Sequence, residues 1–170
     1  MRKVFLITIL CAGLAWTEPL GMQFSPGRSL GPLRLGQSVK ATLAALKAFT
    51  HELDDDYAIG PIYQFPAQGT VQLLANFDRK DHLTGLEIHD PSCTLQGFPK
   101  VHLGCGREAV VAALGPPDDD DPYYLEYKKL GVRFLFEDGR PPRQQDPYKV
   151  PKFKKGQCEM IMLFAPGSER

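Results

Sequence analysis

Four side chains between residues 89 and 105 form a donor set that suits a metal. His89, Cys93, His102 and Cys105 make an H-x3-C series followed by H-x2-C, and imidazole with thiolate is a zinc-binding combination. The elements that would carry them argue the other way. His89 ends a run that reads as a strand and His102 lies inside another, so a tetrahedron would need the intervening PSCTLQGF stretch to fold back tightly. Polar strand residues plus a buried thiol are the simpler expectation, and no metal is expected.

Overlapping this series, VHLGCGREAVVAALGPPDDDD, Val101 to Asp121, begins as a dinucleotide-binding turn does: a strand, then Gly104-Cys105-Gly106, then an apolar helix. Such a site also needs a parallel strand after the helix and an acid about 20 residues on. Glu126 lies near that spacing, but Pro116, Pro117 and four aspartates follow the helix and would repel a pyrophosphate. Gly104 and Gly106 therefore read as turn and cap residues, and no cofactor is expected.

The acidic runs Asp54 to Asp56 and Asp118 to Asp121 lack the alternating spacing and central glycine of a calcium loop. They read as solvated turn acids, both placed after a helix and so expected at one end of the molecule. Ser25, Ser29, Ser38, Ser92 and Ser168 have no nucleophile-elbow context, and neither His51 nor His82 has an evident nucleophile. The sequence predicts no catalytic residues and no enzyme.

From Lys128 to Lys155 the chain carries nine basic side chains against three acidic ones, although the formal net charge of the whole chain is zero. Zero net charge gives the molecule no general pull on nucleic acid, so none is expected as a partner. Within the basic stretch, RPPRQQDPYKVPKFKKGQ reads as a long insertion between strands. Arg140, Arg143, Lys149, Lys152, Lys154 and Lys155, interleaved with Tyr148 and Phe153, form a candidate surface for an anionic membrane or a phosphoinositide headgroup. A solubilising loop is the alternative.

The elements behind these residues follow from spacing and turn chemistry. Ser38 is a good N-cap, and Val39, Thr42, Leu43, Leu46 and Phe49 fall at helical spacing, predicting an amphipathic helix to about Phe49. PIYQF, TVQLLANF and LTGLEIH then read as strands. A second helix from Arg107 to Leu114 is stopped by Gly115 and the two prolines, and YYLEYKK, GVRFLF and CEMIMLF read as strands after it. At an offset of 68, Leu35-Gly36 meets Leu103-Gly104, Leu43 meets Val111, Ala45 meets Ala113 and Leu46 meets Leu114. This predicts an α+β fold: a tandem duplication of a helix plus three-stranded antiparallel sheet unit, with both units sharing one core.

The expected organisation is a signal peptide over 1–15, a linker over 16–25, a first repeat over 26–98, a second over 99–166 and a tail over 167–170. Arg2 and Lys3 precede an apolar run from Val4 to Ala15 that ends in small residues, as an export signal does. The run is short of the ~20 apolar residues that span a bilayer. Cleavage after Ala15 leaves Cys93, Cys105 and Cys158, an odd number that allows at most one bridge. With 43% hydrophobic and 24% charged residues the chain can fold without it.

The segments SPGRSLGPLRLGQSVKATLAAL, GTVQLLANFDRKDHLTGLEIHD, FPKVHLGCGREAVVAALGPP and LGVRFLFEDG resemble the N-terminal part of the phagosome assembly factor 1 family. The resemblance is carried by Pro26-Gly27-Arg28, Leu35-Gly36, Phe77-Asp78, Leu83 with Leu86 to Ile88, Leu114-Gly115 and Gly131 to Phe136. It implies a non-enzymatic adaptor in autophagy, cytoplasmic and phagophore-associated, acting with a β-propeller partner at phosphoinositide membranes. Members are generally longer, and the signal-like N-terminus predicts export instead. The two readings are therefore an adaptor at an anionic membrane and an exported protein-binding module with no lipid role.

Overall fold

The computed structural model describes residues 20–54, 60–67, 70–137 and 152–167. The predicted signal peptide lies outside the described residues, as does most of the basic insertion, including Arg140, Arg143, Tyr148 and Lys149. No helix among the described residues is long and apolar enough to cross a membrane.

The protein is a mixed α+β structure, mostly sheet, with two short helices. Its first three strands, β1 (Gln23–Ser25), β2 (Ser29–Leu30) and β3 (Leu33–Arg34), lead into α1 (Val39–Ala45). Then come β4 (Glu52–Asp54), β5 (Ile62–Ala67), β6 (Thr70–Phe77) and β7 (Leu83–Ile88). A short hairpin, β8 (Thr94–Leu95) and β9 (Phe98–His102), leads into α2 (Arg107–Leu114). The chain closes with β10 (Asp119–Asp121), β11 (Tyr124–Tyr127), β12 (Val132–Phe136) and β13 (Cys158–Phe164).

Two sheets result. The larger has eight strands in the order β10-β11-β12-β13-β7-β6-β5-β4, each pair antiparallel. The smaller runs β3-β2-β1-β8-β9, with β1 and β8 parallel through Gln23↔Thr94 and Phe24↔Leu95. At the centre of the large sheet β7 and β13 pair through Ile88↔Ile161 and Leu86↔Leu163. One core joins the two sheets and both helices: Phe24, Leu30, Phe65, Leu73, Val110, Leu125 and Phe134 all belong to it. Fully burying each such side chain contributes about 1.5–3 kcal/mol.

α2 occupies the predicted residues and ends at Gly115, whose φ of +79° suits glycine and whose N–H donates to the Val111 carbonyl at 2.8 Å. α1 is shorter than predicted. Ser38 caps it, its hydroxyl accepting the Ala41 N–H at 3.3 Å, but helical geometry stops at Ala45. Seven residues are too few to hold a helix without tertiary support, and that support comes from Thr42 and Leu46, both buried. The apolar spacing that continues to Phe49 is used by a turn, Phe49 N–H to Leu46 carbonyl at 2.8 Å, in which Phe49 still packs on the core.

In the large sheet four strands follow each helix, one more than the sequence predicts. The missed ones, β4 and β10, lie in the acidic runs that read as turns. Aspartate is a poor strand residue in a sheet interior, yet both strands are short edges, where a side chain can keep its water and charge discourages pairing with another chain. They stand at opposite edges of the large sheet rather than at one end of the molecule. The predicted linker over 16–25 is also corrected from Leu20 onward. Phe24 is buried in β1, and the Leu20 N–H donates to the buried Asp90 carboxylate at 2.5 Å.

Both helix entries are tied to the large sheet by equivalent bonds. At the first, Gly36 (φ +85°) donates to the Leu83 carbonyl at 2.7 Å and Leu83 donates to the Gln37 carbonyl at 2.8 Å. At the second, Gly104 (φ +89°) donates to the Cys158 carbonyl at 2.7 Å and Cys158 donates to the Cys105 carbonyl at 2.8 Å.

Candidate functional site

The turn that resembles a dinucleotide fingerprint is the second of these entries. Its strand, β9, pairs antiparallel with β8 in the small sheet, while the strands after α2 belong to the large one. No parallel βαβ unit surrounds the turn, so the pyrophosphate geometry that Gly104 and Gly106 would serve is not built here. Glu126, at the spacing of a ribose-binding acid, is 5% exposed and sits opposite Arg133, whose guanidinium donates to it at 2.6 Å. That ion pair neutralises the buried carboxylate. Arg107, at the start of α2, lies over the Phe136 ring at 5.0 Å and pairs with Asp120 of β10.

The same turn brings two cysteines together. Cys105 enters α2 and Cys158 opens β13, and both are buried. The backbone bond between them holds the two side chains beside each other, near enough for each thiol to act on the other's proton affinity. Donation from the Cys158 thiol, against the opposing cost of burial and helped by the nearby His102, brings the Cys105 thiol down to about 6. Burial, reinforced by Cys105, pushes Cys158 well above the ordinary thiol range. Its sulfur also lies 3.5 Å from the Met160 carbonyl.

The metal series separates accordingly. Cys105 faces Cys158, the His102 ring nitrogen Nδ1 hydrogen-bonds the Leu103 carbonyl at 2.5 Å, and Cys93 sits beside Asp90 and the Met22 backbone. Burial there pushes Cys93 up to about 12. Among the described residues, no three His, Cys, Asp or Glu side chains are gathered as a metal ion requires.

Beside the thiol pair lies the described end of the basic segment. Phe153 is half-buried and packs on the core, close enough to Gly104 that a Cβ there would lie 3.7 Å from its ring. Phe153 thus anchors the segment. Lys152, Lys154 and Lys155 are exposed around it, with no ion pair to a described residue. A tight turn holds them, with Gly156 donating to the Glu137 carbonyl at 2.7 Å and Gln157 to the Lys154 carbonyl at 2.9 Å.

A separate groove of about 280 Å³ runs between β9 and α2, lined by Phe98, Lys100, Val101, Ala109, Ala112 and Ala113. Phe98 is 45% exposed at its rim. The sequence reading missed this groove. Its signal was the alanine-rich face of α2, too small in side chain to fill the space beside β9.

The α+β architecture has a counterpart among solved structures. The chain is similar to the crystal structure of the uncharacterized protein yfeY from Escherichia coli, with a TM-score of 0.55 and 11% identity over 82% of this chain and 98% of that one. At that identity the likeness is one of fold alone. No family model and no curated protein matches the chain.

Proposed function

We propose that this protein is a non-enzymatic binding module that associates with anionic membrane surfaces through Lys152, Lys154 and Lys155. The observation that carries this reading is the division of labour in the segment Lys152 to Lys155. Phe153 fixes it to the core while the three lysines stand exposed around that anchor without described counter-ions. Each basic residue near a charged bilayer contributes about 1 kcal/mol, so three give about 3 kcal/mol. Arg140, Arg143 and Lys149 would add to it. Localisation divides the proposal: the signal-like N-terminus supports export, while a cytoplasmic adaptor role beside a β-propeller protein rests on the resemblance to the phagosome assembly factor 1 family, and the two exclude each other.

We also propose that the chain arose by duplication of a helix-plus-sheet unit. The matched helix-entry bonds at Gly36 and Gly104, the four large-sheet strands after each helix and the central β7 and β13 pair support it.

Co-sedimentation with vesicles of phosphatidylcholine and phosphatidylserine tests the membrane reading. The wild-type chain is expected to bind, more weakly as salt rises, and the triple variant K152E/K154E/K155E is expected to stay in the supernatant. Equal binding by both proteins would remove the lysines from the account. The groove beside α2 then favours the second reading, an exported module that takes an apolar protein segment and has no lipid role.

A further inference from the structure

We propose that Cys105 and Cys158 are the two ends of an intramolecular disulfide, formed when the protein meets a disulfide oxidant such as oxidised glutathione. The inference stands on placement and is independent of the membrane reading. The 2.8 Å bond from Cys158 N–H to the Cys105 carbonyl and the 2.7 Å bond from Gly104 N–H to the Cys158 carbonyl fix the two backbones side by side. The adjoining residues, Gly106 and Gln157, form an antiparallel bridge that continues the pairing. Facing residues in an antiparallel ladder have Cα atoms about 4.5–5.5 Å apart, inside the range a disulfide spans; here the contact is bulged, with Gly104 rather than Cys105 donating to the Cys158 carbonyl. These backbone bonds already hold the two side chains beside each other, so closure requires the two thiols to turn toward one another.

The chemistry divides between the two sulfurs. Cys105, 7% exposed against 0% for Cys158, meets the oxidant first. Its thiolate attacks one sulfur of the oxidant; a Cys105–sulfur bond forms, the oxidant's S–S bond breaks, and one thiolate leaves. The Cys158 sulfur, giving its proton to a departing thiolate, then attacks Cys105 Sγ and displaces the second. Two protein thiols become one disulfide, and one oxidant disulfide becomes two thiols. The low proton affinity of Cys105 supports its role as the attacking group. Phe153 packs beside Gly104, the residue before Cys105, and in this proposal its ring slows the oxidant's approach.

The bond would tie the entrance of α2 to the strand at the centre of the large sheet. Cys93 is left out, with Asp90 and Met22 as its neighbours.

The test uses the full chain with Cys11 replaced (C11S), reduced, desalted and exposed to oxidised glutathione, then denatured and alkylated. The expected product has lost the mass of two hydrogens, carries no glutathione and takes up label at Cys93. Its non-reduced peptide map joins the peptides of Cys105 and Cys158, and C93S gives the same link. In C158S the reaction is expected to stop with glutathione held on Cys105, and F153A is expected to oxidise faster than wild type. A link that includes Cys93, or a wild-type chain that keeps glutathione on Cys105 with Cys158 still open to label, would overturn the proposal. Repeating the oxidation in denaturant should give mixed linkages. If it gives the Cys105–Cys158 link alone, the native placement is not what selects the pair, and the proposal also fails.

Discussion

At the scale of single residues, the thiol pair makes the sharpest demands. Cys105 is held at about 6 against an ordinary value of 9.0, chiefly by the proton that Cys158 shares with it. A folded pKa depressed in this way contributes stability that is fully present above pH 9, declines through the window between about 9 and 6, and is gone below about 6. In reduced C93S, the rate of Cys105 alkylation should therefore rise to half its maximum near pH 6. C158A removes the donor and should move that midpoint upward, while C158S keeps a hydroxyl donor and should leave it low. If alanine and serine shift the midpoint alike, donation from Cys158 is not the cause. A closed bridge between positions 53 apart would stabilise the fold by about 4 kcal/mol in the loop-entropy account, visible as a higher melting temperature in the oxidised protein. With Cys11 set apart in the expected signal peptide, three of the four cysteines remained and allowed one bridge, but the partners were not legible in the sequence. What joins Cys105 to Cys158 is the docking of a helix-entry turn on a distant strand, and neither residue's immediate neighbours announce that contact.

Turns and strands pose a different problem, because some are fixed locally and others by the sheet. α2 was legible to the residue, since its ends rest on Gly106, Gly115 and two prolines that act within one turn. The six apolar strands were legible too, whereas β4 and β10 were not: their acids are tolerated only because each forms an edge, and edge position is a property of the whole sheet. Glycines show the same division between local and tertiary causes. Gly36 has φ +85° and open space where a Cβ would stand, so G36A should cost about 1–2 kcal/mol for the left-handed backbone alone. Gly131 has φ +72°, and a Cβ there would lie 2.2 Å from the Phe164 carbonyl and 2.8 Å from the Gly27 Cα. Because that contact is backbone on backbone, relief requires β13 to move. G131A should cost about 3 kcal/mol or more, and chemical denaturation of the two variants checks the difference. Equal midpoints would mean that β13 yields easily and that the turn at Gly131 is less tightly held than its contacts indicate.

On the scale of the whole molecule, the question is whether two chain halves make one cooperative unit. The first half supplies β7 and the second β13, and the large sheet is continuous only through their pairing. The core crosses the same line. Phe24 of the first half meets Phe134 of the second with ring centroids 6.4 Å apart, and the Gly27 N–H donates to the Gly131 carbonyl at 3.1 Å. A shared core was the sequence's expectation from the paired helices and strands; the small sheet was not legible, because two-residue strands such as β2 and β8 carry no periodicity. Cutting at the seam should therefore cost both halves together. Leu163 is fully buried opposite Leu86, and L163A should destabilise by about 2–5 kcal/mol. Native-state hydrogen exchange locates the loss: slow amides in β5 and β6, which lie across β7 from position 163, should lose protection by the same free energy as those in β11 and β12. Protection that persists in β5 and β6 while β11 and β12 open would show two units that merely touch at the seam. Uniform loss would mean that the lysine segment, the thiol pair and the groove beside α2 all ride on one rigid body, so that any ligand bound at one of them stabilises the others by mass action.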